Sequence, residues 1–197
     1  MLPMLQRLAA SLSRQGRLPE AEALHRRALE ASKAARGVAH PDTLAAMGEV
    51  ARLALLRGEH GEAARLHRRV LDHRELLLGP AHVETLSSLH DLAAALEAAA
   101  ERQEAIALYR RALAGREVAL GPAHATTLQS VNGLAVSLSA AGHLEEAVPL
   151  HRRAAGGLEA ALGPEHPGAV ASRRNLADAL TLLGRLDEAR GVLAAWD

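Results

Sequence analysis

Four histidines, His40, His82, His124 and His166, recur at intervals of 42 residues in a chain of 197. Histidine is a common metal ligand and a proton carrier near neutral pH, so such a ladder raises metal binding or proton relay. The spacing argues against both. Copies one repeat apart are separated by on the order of 10 Å if repeats stack at helix-packing distance. Zinc needs its ligands within ~2.0–2.3 Å of one centre. Each histidine stands in a near-identical phrase: GVAHPDTL, GPAHVETL, GPAHATTL and GPEHPGAV. The ladder is therefore expected to close the loops between repeats, by hydrogen bonding to nearby backbone or a carboxylate, with no metal.

Three further histidines, His25, His67 and His151, precede the arginine pairs Arg26-Arg27, Arg68-Arg69 and Arg152-Arg153, and Tyr109 precedes Arg110-Arg111. The histidines read as packing residues with a wet edge, equivalent to Tyr109. The arginine pairs form a basic stripe, expected to be a solvated face with intra-helix partners such as Glu22 to Arg26. Phosphate or acidic-partner binding is the functional alternative. No HExxH, P-loop, GxSxG or GxGxxG motif occurs, and there is no cysteine nucleophile. His90-Asp91 and Asp72-His73 are sequence neighbours, which do not face each other on a helix. No enzyme activity and no cofactor are expected.

The elements that position these residues follow from a fixed period, the signature of a repeat architecture. The reading is a single array over 1–197, with units at roughly 1–36, 43–79, 85–121, 127–163 and 169–197, the last incomplete. Each unit holds two helices. The first runs from the Thr-Leu phrase to a glycine, as from Thr43 to Gly58 or Thr127 to Gly142. Its apolar positions in the third unit are Leu86, Leu89, Leu92, Ala93 and Leu96, the 3–4 spacing of an amphipathic helix. Thr43, Thr85 and Thr127 stand where an N-cap or first-turn residue belongs. Gly16, Gly58, Gly142 and Gly184 end this helix; Ala100 replaces glycine once, so that turn is expected to differ or the helix to run longer.

The second helix carries Glu20, Glu62, Glu104, Glu146 and Glu188 in its first turn, where carboxylates complement the helix dipole. Ala21, Ala63, Ala105, Ala147 and Ala189 are in register one residue on, small enough for the two helices to approach closely. Glycine followed by proline stops the second helix. Pro149 predicts a kink or a late start in unit four, and Gly156-Gly157 adds ~1 kcal/mol of cost per glycine relative to alanine. That unit is expected to be the softest.

Composition bounds the partners. Lys plus Arg equals Asp plus Glu at 23 each, which gives no electrostatic case for nucleic acid or an anionic membrane. The absence of cysteine and of a secretory leader fits a cytoplasmic protein. Aromatics make up 1% of the residues, including Tyr109 and Trp196, and the abundance of Ala and Leu favours helix over a β-repeat of similar period.

Leu-Ala in the first helix (Leu92-Ala93, Leu134-Ala135, Leu176-Ala177), then Gly, Glu-Ala and Leu-x-Arg-Arg-Ala-Leu, resembles the tetratricopeptide repeat. With LGxxHPxTL between units it is most similar to the kinesin-light-chain type, also found in bacterial signalling ATPases. Aromatics usual in that family are replaced by His25, His67 and His151, and its paired asparagines survive only as Asn132 and Asn175. The resemblance implies an all-α, right-handed superhelical solenoid of antiparallel helix pairs, and a non-enzymatic scaffold binding a peptide or protein in a concave groove. The groove rows it implies are Gln6, Gly48, His90, Asn132, Arg174; Ala10, Arg52, Ala94, Val136, Asp178; and Ser13, Leu55, Glu97, Ser139, Thr181. The partner-binding set is Arg52, His90, Glu97, Gln129, Asn132, Arg174 and Asp178, with Ala94, Ala98 and Ala140 leaving room for a ligand. The alternative is a regulatory or oligomerisation arm of a larger signalling ATPase, acting by intramolecular packing. Neither end carries a polar capping helix, which suggests a fragment of a longer protein or self-association through open terminal repeats. RNA binding along the arginine stripe is disfavoured by the zero net charge.

Overall fold

The computed structural model describes residues 2–194, so Trp196 and the side chains of Gln6 and Ala10 lie outside the described residues. Ten α-helices are described, and no strand is present among the described residues: α1 (Leu2–Arg14), α2 (Leu18–Arg36), α3 (Pro41–Leu56), α4 (His60–Leu78), α5 (Val83–Ala98), α6 (Arg102–Leu120), α7 (Ala125–Ala140), α8 (Leu144–Leu162), α9 (Pro167–Leu182) and α10 (Leu186–Ala194). The chain divides into two compact units, Met1–Pro80 and Ala81–Asp197. In the first, α1 packs on α2, α2 on α3 and α3 on α4; in the second, each helix from α5 to α10 packs on its sequence neighbour.

The odd-numbered helices start earlier than the Thr-Leu phrase. His40, His82, His124 and His166 are their N-caps, in extended conformation, each accepting a backbone N–H two residues on. The donors are Asp42, Glu84, Thr126 and Gly168, at 3.1–3.3 Å from Nδ1. One otherwise orphaned helix-start donor is thereby satisfied. The bond places the ring proton on Nε2, since Nδ1 must offer its lone pair. The threonines fall in the first turn and are fully buried. There the Thr43 hydroxyl meets Ser32 Oγ on α2 at 2.8 Å, and Thr127 donates to the Arg116 carbonyl on α6. Histidine begins each of these helices, and in α3 and α7 threonine ties the helix to the preceding one.

The in-register alanines are buried without exception, at 0% exposure for Ala21, Ala63, Ala105 and Ala147 and 4% for Ala189. Opposite them lie Leu12 and Leu53 in the first unit and Val131, Leu134 and Leu138 in the second. One local expectation is corrected, and one glycine gains a packing role. α8 spans the same 19 residues as α2, α4 and α6, so Pro149 causes no late start. It lies on the exposed face close to the N-terminal end, where one i→i−4 bond is lost and no buried group is left wanting. Gly157, which counts against helix propensity, makes close packing feasible: a Cβ there would stand 2.6 Å from Leu128 Cδ2 on α7.

The turn at Ala100 also differs from expectation. Ala100 N–H bonds to Glu97 O and Glu101 N–H to Leu96 O, the pattern made by Gly58 with Glu59 and by Gly142 with His143. The geometry is conserved, and Ala100 adopts φ +63°, the one non-glycine residue with positive φ among the described residues. An L-residue held in the left-handed region costs ~1–2 kcal/mol, partly offset by the ~0.5–1 kcal/mol that glycine loses in backbone entropy. Ala100→Gly is therefore expected to stabilise the protein by about 0.5–1 kcal/mol, raising the thermal midpoint by roughly 1–4 °C in calorimetry. A lower midpoint would contradict this account of the turn.

Candidate functional site

The second unit contains a cavity of about 330 Å³ walled by α5, α7 and α9, with Tyr109 of α6 and Leu158 of α8 behind them. Four of the expected partner-binding residues line it: His90, Glu97, Gln129 and Asn132. Val136, from the expected groove rows, lines it as well. Arg174 and Asp178 stand at exposed positions of α9, outside this lining. Arg52 lies in the first unit, beside a separate opening, with both its Nε and Nη2 held by Glu49 at 3.1 and 2.7 Å.

The cavity wall is held by a polar chain that spacing alone does not reveal. Arg116 on α6 is 4% exposed. Its Nη1 donates to Thr126 O at 2.8 Å and Ser130 Oγ at 2.7 Å on α7, and Nη2 to Ser87 Oγ at 3.2 Å on α5. Ser130 Oγ in turn meets His90 Nδ1 at 3.3 Å. The His90 ring stands edge-on to Tyr109, centroids 5.2 Å apart. Burial, and next the Arg116 charge, push His90 down to about 4, so the ring facing the cavity is neutral at pH 7. Burial, followed by Glu97 and Asp91, raises the Tyr109 hydroxyl above its ordinary range.

Tyr109 fits because its neighbour is glycine. A Cβ at Gly133 would lie 2.5 Å from Tyr109 Cε1. One repeat on, the corresponding pair is His151 and Asn175; in the first unit it is His25 and Glu49. A large ring therefore pairs with no side chain, and a smaller ring with a polar one. The sequence offers this signal only when two positions from successive repeats are compared. Asn132 has a fixed amide: Oδ1 accepts from Ser172 Oγ at 3.2 Å and Asn175 Nδ2 at 3.3 Å on α9. Glu97 keeps one buried carboxylate oxygen, Oε2, without a partner.

Fold and register here are those of one known repeat. The sequence profile of the tetratricopeptide repeat matches residues 1–76, 54–117, 85–160 and 125–194. The chain belongs to the tetratricopeptide repeat family. Among solved structures, a variant of the nearly identical TPR-like repeats of a kinesin-light-chain-like protein from Podosopora anserina is 30% identical, over 99% of this chain and 92% of that one, with a TM-score of 0.85. BtubC (BKLC) from P. vanneervenii is 19% identical over 97% and 79% of the two chains, TM-score 0.79. The apo form of RapI is 12% identical over 99% and 68%, TM-score 0.83. The last two share the fold. A comparison with curated proteins gives no significant match. The repeats are of the kinesin-light-chain type, all-α and TPR-like, a fold that generally mediates protein–protein interaction. No helix among the described residues is long and apolar enough to cross a membrane, and none of their side chains group as three or more metal-ligand residues.

Four arginines of the basic stripe, Arg26, Arg110, Arg152 and Arg153, are paired with carboxylates. Arg26 bonds Glu22 at 2.7 Å, as expected, and also Glu62 of the next repeat at 2.8 Å. Arg110 reaches Glu146 at 2.6 Å, Arg152 reaches Glu188 at 3.2 Å and Arg153 reaches Glu117 at 2.6 Å. The first-turn glutamates thus serve the neighbouring repeat's arginine in addition to their own helix dipole. His67 and His151 have no wet edge, being at most 5% exposed, and His25 is 2% exposed at the border of the first-unit opening.

Burial lowers all three of these histidines, His67 and His151 to about 4. A histidine buried neutral contributes stability that is complete above its unfolded value of ~6.5 and is lost as pH falls toward its folded value, because the unfolded chain then binds the proton more tightly. Each such group should steepen the loss by up to ~1.4 kcal/mol per pH unit between about pH 6 and 4.5. Urea unfolding across that range should show a shallower pH dependence for His151→Gln than for the parent protein. Identical slopes would place that histidine in water.

Proposed function

We propose that this chain is a cytoplasmic, non-enzymatic protein-interaction module that takes a peptide segment against the odd-numbered helices, with the α5–α7–α9 cavity of the second unit as its reading site. The observation that carries this reading is the oriented amide of Asn132. With Oδ1 occupied by Ser172 and Asn175, its remaining hydrogen-bonding capacity is the Nδ2 donor pair, in the lining of an open cavity. An extended peptide presents carbonyl acceptors regardless of its side chains, which suits a donor held in place by two partners. Gln129 lies one helical turn earlier on α7 and adds a second amide. Neutral His90, the Tyr109 edge and Glu97 supply the surface on which side chains would be discriminated.

Selection from a displayed peptide library against the intact chain should yield ligands whose affinity falls about tenfold in Asn132→Ala with Gln129→Ala, the worth of one or two hydrogen bonds, while the chain stays folded with a thermal midpoint lowered by loss of the Ser172 and Asn175 bonds. Leu92→Ala, at a buried position of α5, should instead cost ~2–5 kcal/mol of stability. Retained affinity in the folded double variant would sink the cavity as the reading site.

A second reading, an arm that self-associates within a larger regulator, has one observation in its favour. Leu76, Leu77 and Leu78 at the end of α4 are 83%, 51% and 42% exposed, a run of apolar surface of the kind that marks interfaces. Sedimentation equilibrium should show a dimer that Leu76→Lys dissociates if this reading holds; a monomer at all concentrations would dismiss it.

A further inference from the structure

The first unit has its own opening, a cavity of about 760 Å³ lined from α1, α2 and α3. Its charge is one-sided. Arg7 and Arg14, two turns apart on α1, and Arg52 on α3 all line it, against one carboxylate, Glu49. Arg52 alone is bound to Glu49. Arg7 and Arg14 have no carboxylate partner among the described residues.

Repeat packing does not require these arginines. The positions equivalent to Arg7 in the other repeats hold Glu49, Asp91, Gly133 and Asn175. Those equivalent to Arg14 hold Leu56, Ala98, Ala140 and Leu182, and those equivalent to Arg52 hold Ala10, Ala94, Val136 and Asp178. None is cationic. Charge that gathers in one unit, at three positions where the architecture tolerates almost anything, is a recognition feature rather than a structural one.

A second observation, independent of the arginines, points to a ligand. His25 lines the same cavity and is 2% exposed, yet neither ring nitrogen has a hydrogen-bond partner. His151, at the same register, has Ser139 Oγ at 3.2 Å from Nε2. A buried polar group without a partner calls for an explanation. A ligand oxygen entering between the guanidiniums would supply one, since neutral imidazole carries one N–H donor.

We propose that the first-unit cavity binds a phosphoryl group through Arg7, Arg14, Arg52 and the His25 ring. Two positive charges stand in excess once Glu49 is counted, which matches a phosphoryl dianion better than a carboxylate. Guanidinium forks also engage phosphate oxygens in pairs, and three terminal oxygens serve several donors at once. The group could arrive on a phosphorylated partner segment or as free phosphate, and the chemistry of recognition is the same. The site is separate from the second-unit cavity and does not depend on the Asn132 reading.

The test is a titration of the full chain, with histidine rings labelled for NMR and His25 assigned by substitution, at constant ionic strength. The probes are inorganic phosphate, N-acetyl-phosphoserine amide and N-acetyl-aspartate amide. Saturable movement of the His25 ring signals is expected with both phosphoryl probes, with aspartate about tenfold or more weaker. Tighter binding of the phosphoserine probe assigns the group to a partner segment; tighter or equal binding of inorganic phosphate assigns it to the free ion. Arg7→Gln with Arg14→Gln, both exposed, should weaken the phosphoryl probes about tenfold or more without changing the melting curve. Arg52→Gln should do the same if α1 proves sensitive to its double change. Absence of saturation, equal response to aspartate, or full binding by the folded arginine variants would overturn the assignment.

Discussion

Close approach of the two helices in each pair is the constraint on which everything else rests. An amphipathic helix of 16 residues cannot bury its apolar stripe alone, so each must find a partner face. Here the face is Leu and Ala, and contact is set by an alanine in register at the start of every even-numbered helix, Ala21, Ala63, Ala105, Ala147 and Ala189, none more than 4% exposed. A larger residue there would separate the axes and loosen the leucines opposite. Gly157 extends the logic to the other end of α8, where it admits Leu128. Density comes from small residues placed against branched ones, which explains how a chain with 1% aromatics builds a core.

Once packing is fixed by few positions, the remaining polar residues acquire definite work. The histidine ladder caps helices through Nδ1, while buried Thr43 binds α3 to α2 and buried Thr127 binds α7 to α6. The glutamates and arginines form pairs 36 residues apart, from one even-numbered helix to the next. Such exposed pairs are individually weak, yet they engage Arg26, Arg110 and Arg152 of the stripe. Non-repeating positions of the odd-numbered helices line two openings of different chemistry: His90, Glu97, Gln129 and Asn132 in the second unit, and Arg7, Arg14, Glu49 and Arg52 in the first.

The ring position before each arginine pair shows how local substitutions stay consistent with a common backbone. Tyr109 requires Gly133, because even a methyl group would enter its ring. His25 stands with Glu49 and His151 with Asn175, pairs in which the smaller ring leaves space for a side chain. Tyr109 and His25 each line a cavity, so the exchange between them alters the depth and polarity of the floor while the helices keep their register. Variation that packing tolerates thereby becomes variation in what a cavity can hold.

Period, helix order, the alanine register and the family were all legible in the residues, because each is a consequence of spacing along one chain. The family resemblance puts His90, Glu97, Gln129 and Asn132 on one wall together with Arg52, Arg174 and Asp178, and of these the first four line the second-unit cavity. Other features needed distances between helices. Thr43 and Thr127 read as N-cap or first-turn residues, and the structure chose the first turn because His40 and His124 hold the cap; Ala100 read as a changed turn or a longer helix, yet the chain kept the turn and accepted a left-handed alanine. Nothing in the sequence singles out Arg116, and its burial among Ser87, Thr126 and Ser130 depends on three helices meeting. Sequence alone determined which residues repeat and therefore hold the fold. Tertiary structure decided which of the non-repeating ones converge, because convergence between helices tens of residues apart is set by packing distance and not by spacing.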